Sequence, residues 1–161
     1  QAAERLGFAG VRWQVADQSV SGFRLRQLKE HERLEHHQLI GICPPDGEHY
    51  LLGQISWLMY RADGIMEAGV QILPGLPKVV AARVVTLMAG NRTPYSQAFV
   101  LPEVSALKSP PSLVLPHGWY QANRVLELVI DQQLRQVRLL KSLSHGPNFD
   151  QVSYEDVAPV R

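Results

Sequence analysis

Asp17-Gln18-Ser19-Val20-Ser21-Gly22 and Gly53-Gln54-Ile55-Ser56-Trp57 are the stretches on which the reading of this chain turns. The first interrupts a strand-like run, with Val11-Arg12-Trp13-Gln14-Val15-Ala16 before it and Phe23-Arg24-Leu25 after it. The second belongs to a strand that turns back at Arg61-Ala62-Asp63-Gly64 into Ala68-Gly69-Val70-Gln71-Ile72-Leu73. Both are polar or glycine-bearing insertions in apolar, alternating sequence, which is the pattern of short paired strands.

The same pattern runs through the rest of the chain. Apolar residues alternate or run in short blocks, broken by Pro44-Pro45-Asp46-Gly47, Pro74-Gly75-Leu76-Pro77, Pro110-Pro111, Pro116-His117-Gly118 and His145-Gly146-Pro147. Strands are expected near 11–16, 22–28, 37–43, 49–60, 66–73, 79–88, 95–101, 112–115, 123–130, 134–140 and 149–154. Gln27–Leu34 and Val79–Met88 suit a short helix as well as a strand. The runs 124–130 and 134–140, joined at Asp131-Gln132-Gln133, read as a hairpin. Small and turn-forming residues at Ala89-Gly90-Asn91-Arg92-Thr93-Pro94 mark the best internal boundary.

Composition narrows the function classes. The chain has 161 residues, 45% hydrophobic and 19% charged, enough for one sizeable domain or two small ones. Sixteen basic against 15 acidic residues leave a formal charge of +1, without the basic excess of a nucleic-acid binder. No apolar run approaches the roughly 18–20 residues of a membrane span. Beginning at Gln1 rather than Met, the chain reads as a processed product or an excised piece of something longer. Cys43 is the single cysteine, so no internal disulfide or cysteine cluster can form. Between Ile42 and Pro44 it reads as a packed thiol, compatible with a cytoplasmic setting.

Asp17 and Ser19, two apart on a strand, share a face and offer a carboxylate acceptor beside a hydroxyl. A purine edge or a pair of backbone N–H groups would suit them. Gly22 allows a bulge or the close approach of another backbone or a flat ligand. The alternative is local capping of a strand end by side-chain-to-backbone bonds.

In order and spacing these stretches resemble the PilZ domain, a bacterial β-barrel that serves as a receptor for cyclic di-GMP. The resemblance covers about residues 10–85. It implies that Asp17, Ser19 and Gly22 lie on the barrel wall and contact a guanine. It matches Gly53 and Trp57 to a structural Gly-x-x-x-Trp stretch with Trp57 in the core, and Gly69 to the closing strand. The family also draws on Arg-x-x-x-Arg ahead of the first strand. Here the upstream arginines are Arg5 and Arg12, seven apart. Phosphates, which favour planar guanidinium donors, are left to Arg12 and Arg24, with Arg26 the alternate residue on the same strand; the alternative for Arg24 and Arg26 is a solvated strand face.

Other constellations read as structural. His31, His36, His37 and His49 are interleaved with Glu30, Glu32 and Glu35 and lack a familiar metal-ligand interval. His117 with Ser112 or Asp131 lacks a nucleophile elbow. Arg135, Arg138 and Lys141 read as a solvated strand edge.

The expectation is an all-β chain: a PilZ-like β-barrel over 1–88, followed by a second small β domain over 92–161. The expected function is a non-enzymatic, cytoplasmic, cyclic di-GMP-binding effector or regulatory module of a larger bacterial protein. No catalytic residue, metal, other cofactor, nucleic-acid partner or membrane span is expected, whereas an unidentified protein partner is. The alternative is a degenerate PilZ-like domain that binds no nucleotide and acts as a protein–protein interaction or assembly module.

Overall fold

The computed structural model describes residues 13–19, 22–27, 34–43, 49–86 and 93–157, with Trp13, Asp17 and Gln27 placed by backbone alone. The chain divides into two compact units, Gln1–Leu76 and Pro77–Arg161. Both are built from β-strands, and their described residues contain no α-helix, only a single 3-10 turn at Ser105–Leu107.

Unit 1 carries β1 (Trp13–Gln18), β2 (Gly22–Gln27), β3 (Leu39–Ile42), β4 (Leu51–Tyr60) and β5 (Met66–Leu73). They form one antiparallel sheet in the order β1-β2-β5-β4-β3. Its core face follows from period-2 alternation. Phe23 and Leu25 on β2 stand opposite Val70 and Ala68 on β5, which stand opposite Ile55 and Leu58 on β4. Leu25, Ile55 and Val70 are buried there, with Phe23, Leu34, Ile40, Ile42 and Leu58 packed around them. Glycine is required where strands crowd. A Cβ on Gly22 would overlap the Val70 carbonyl of β5, whereas one on Gly41 would meet open space.

Unit 2 carries β6 (Lys78–Val84), β7 (Ser96–Leu101), β8 (Ser112–Leu115), β9 (Val125–Ile130), β10 (Gln133–Gly146) and β11 (Phe149–Asp156). They close into a six-stranded barrel in the order β10-β11-β8-β7-β6-β9. Closure depends on β10. Over 133–138 it pairs with β9, and over 137–146 with β11, so Val137 and Arg138 are bonded on both sides. Two register shifts against β11, between Leu139 and Ser144, bend the strand through the change of partner. Alternate residues fill the interior: Val80 and Ala82, Ala98, Leu113 and Leu115, Leu126 and Leu128, Val137 and Leu139, and Val152. A barrel of this size is packed solid by its own side chains.

Several sequence expectations change here. The closed barrel is the second unit, and the described part of the first is a five-stranded sheet. The division falls after Leu76, because β6 pairs with β7 and β9 and so belongs to the second unit. Val79–Met88 is therefore strand through Val84, while 28–33 and 87–92, with most of the expected boundary, lie outside the described residues. Arg138 is paired with both β9 and β11, whereas Arg135 is paired with β9 alone. They make ion pairs with Asp156 and Glu155 of β11. Cys43 is exposed, not packed.

Candidate functional site

Two irregularities set the geometry of the outer face of the first sheet. In β4 the register shifts between Ile55, opposite Val70, and Trp57, opposite Gly69. Ser56 is the extra residue, and its hydroxyl donates to the Gly69 carbonyl at 3.1 Å. In β1 a matching shift lies between Val15, opposite Leu25, and Asp17, opposite Arg24. Each bulge moves the following residue to the face opposite the core. Because Arg24 also stands opposite Gly69, the registers align Asp17, Arg24, Gly69 and Trp57 in one row across β1-β2-β5-β4.

Trp57 is 38% exposed, so its expected place in the core is corrected. Alternation from Gly53 and Ile55 would bury it, and the bulge at Ser56 reverses its side. Its indole lies over Gly69, where a Cβ would overlap Nε1, Cδ1 and Cε2. Gly53 serves the core face, where a Cβ would crowd Val70 and Ile42. Trp57 and Gly69 thus form one structural unit on the outer face, and Gly53 fits the packing on the other.

Of the residues expected to touch ligand, Arg24 is exposed and in the row. Asp17 holds its register position, and its side chain lies outside the described ones, as does Arg12 altogether. Ser19 closes the β1–β2 turn. Its N–H donates to the Gly22 carbonyl at 2.9 Å, and its hydroxyl approaches the same oxygen at 3.4 Å. The capping alternative therefore describes Ser19, and the close approach at Gly22 is that of β5.

Beside this row is a charged cluster that sequence reading missed. Glu67 is buried, 5% exposed, and receives Arg26 at 3.3 Å and Arg61 at 3.4 Å on the same oxygen, Oε1. Arg61 also reaches Asp63 at 3.4 Å across the β4–β5 turn. The available signal was Glu67 itself, a lone charge inside the apolar run Met66–Val70.

The remaining candidates are engaged elsewhere. His36, His37 and His49 are exposed, His31 lies outside the described residues, and no metal-holding group occurs among those described. His117 bonds the Gly146 carbonyl, Ser112 accepts from Gln151, and Asp131 pairs with Lys78. No helix among the described residues is long and apolar enough to cross a membrane.

Comparison with known proteins bears on the second unit. Residues 80–157 match the FimW C-terminal beta-barrel domain. The span runs from within β6 past the end of β11, so the matched region is the closed barrel, somewhat less than half of the chain. No curated protein and no solved structure matches the chain.

Proposed function

We propose that the outer face of the first sheet is a cyclic di-GMP receptor surface within a bacterial regulatory protein, acting without catalysis in the cytoplasm. The row Asp17–Arg24–Gly69–Trp57 carries this reading. A half-exposed indole resting on a glycine offers a flat platform for a guanine, and base–aromatic stacking contributes about 1–3 kcal/mol. Arg24, one strand away from Gly69, offers a planar donor for a phosphate or for the guanine edge. The PilZ resemblance of residues 10–85 names the ligand class, and the β-barrel match of 80–157 is compatible with it.

Titration calorimetry of the chain with cyclic di-GMP, followed in parallel by tryptophan fluorescence, tests the proposal. Saturable heat with quenching that Trp57→Phe diminishes is expected. Absence of both at high ligand concentration overturns it. The second reading, a protein-interaction module without nucleotide, is favoured by one observation: Trp57, Met59 and Tyr60 follow one another along β4 with large apolar surface exposed. Aromatic residues and Met are enriched at protein interfaces.

A further inference from the structure

Arg26 and Arg61 converge on a single buried carboxylate, and one guanidinium is enough to keep Glu67 paired. The other is surplus. Arg61 is the more exposed of the two and the one that stands outside the strands. It contacts Glu67 through Nη1 and Asp63 through Nη2, both at 3.4 Å, and like Arg26 at 3.3 Å it lies beyond the ~2.7–2.9 Å of a tight charge-assisted bond. It stands at the start of the β4–β5 turn with its side chain 38% exposed. Arg26 approaches Glu67 through both Nε and Nη2 at 3.3 Å and lies on β2, within the sheet.

The four side chains Arg26, Arg61, Glu67 and Asp63 carry two positive and two negative formal charges, so the closed cluster presents no net charge to an anion. Its place is nonetheless favourable. Glu67 lies two residues from Gly69 on β5, about 7 Å along the strand, on the face that carries Trp57. We infer that Arg61 is the second phosphate-binding guanidinium of this face, held in reserve by Glu67 and Asp63, and that a phosphodiester binds by drawing Arg61 away while Arg26 keeps Glu67 paired. This inference rests on the nucleotide reading proposed above. Affinity is then set by competition between ligand phosphate and the two internal carboxylates.

The test is calorimetric titration of the full chain with cyclic di-GMP for the wild type, Glu67→Gln, Asp63→Asn, Arg61→Ala and the double variant Glu67→Gln/Arg61→Ala, with thermal melts of each. Glu67→Gln is expected to bind at least several-fold tighter than wild type, Asp63→Asn modestly tighter, and Arg61→Ala weaker. The double variant is expected to lose the gain of Glu67→Gln. If Glu67→Gln melts early, Asp63→Asn decides the matter, since Asp63 is half exposed and an asparagine keeps the oxygen that accepts the Ile65 N–H in the turn. Folded variants that bind no tighter than a wild type that binds would overturn the reserve mechanism and leave the nucleotide reading intact. A gain that survives in the double variant removes Arg61 from the site. Absence of binding by every protein in the set defeats both readings together.

Discussion

The indole of Trp57 occupies the space that a side chain at Gly69 would fill, the two residues being register partners on neighbouring strands. The pair gives β5 a cover that its glycine lacks and presents a flat aromatic surface outward. Gly69→Ala forces the indole off the strand. The expected cost is about 1–3 kcal/mol, as for an overpacked site, with a red shift in tryptophan emission. Trp57→Ala is expected to cost about 1–2 kcal/mol, less than the roughly 3–5 kcal/mol of a buried aromatic truncation, because a good part of the ring is already in water. Denaturant melts of the two variants check both values.

Gly22 and Gly41 make a second contrast within the same sheet. A Cβ at Gly22 meets the backbone of Val70, which cannot move without breaking the β2–β5 pairing, whereas a Cβ at Gly41 meets nothing. Gly22→Ala should lower stability by roughly 1–3 kcal/mol. Gly41→Ala should be neutral or slightly stabilising through the unfolded chain, by up to ~1 kcal/mol. Equal melting temperatures for the two variants would count against so close an approach of β2 and β5 at Gly22.

Strand positions were legible because β-branched and aromatic blocks are separated by proline and glycine turns. The β9–β10 hairpin shows how this works: Asp131 and Gln132 both take positive φ in a two-residue turn, leaving Ile130 opposite Gln133. Faces were less legible. Alternation from Ile55 assigns Trp57 to the core, and a single extra residue, Ser56, reverses that assignment, because bulges leave no compositional mark. The barrel boundary was missed for a similar reason. Lys78–Val84 has the same apolar character as Met66–Leu73, and only its partners, β7 and β9, place it in the second unit. The Glu67 cluster depended on register across two strands and a turn, which no local pattern encodes.

The two-unit division predicts that residues 77–161 fold alone. The barrel is closed by β9–β10 pairing, and its interior residues come from its own six strands. A fragment starting at Pro77 should give a cooperative melt with β-type circular dichroism. Leu113→Ala and Leu128→Ala, both fully buried, should each cost about 2–5 kcal/mol in it. A fragment lacking a cooperative transition would contradict the division.

Alkaline titration follows from two tyrosines. Burial pushes the phenols of Tyr50 and Tyr154 above their ordinary value of 10.0. At Tyr154 the Asp156 charge adds to the rise, while Arg135 opposes it. A raised phenol is held neutral by the fold, so its contribution is fully present below pH ~10 and is lost as pH climbs through the higher folded value. Absorbance at alkaline pH should show late-ionising tyrosine, and Arg135→Ala should delay Tyr154 further. Stability should fall with increasing steepness above pH ~10.

The last prediction concerns a chain of polar groups in the barrel wall. Ser112 on β8 is 1% exposed, and its hydroxyl accepts from Gln151 Nε2 of β11 at 3.1 Å. Gln151 Oε1 in turn accepts from the Ser144 hydroxyl of β10 at 2.9 Å, so the amide ties three consecutive strands of the barrel together. A buried polar atom that loses its partner bears its whole desolvation penalty, about 1–3 kcal/mol. Gln151→Ala should therefore cost more than Ser112→Ala, since it strands two hydroxyls and opens a gap, whereas the serine variant leaves only the amide short of one acceptor. The double variant should cost less than the sum of the singles, because the orphaned Ser112 hydroxyl is then gone. Denaturant unfolding of the three proteins measures this coupling. Strict additivity would mean that Gln151 and Ser112 act independently and that the amide does not bridge the strands.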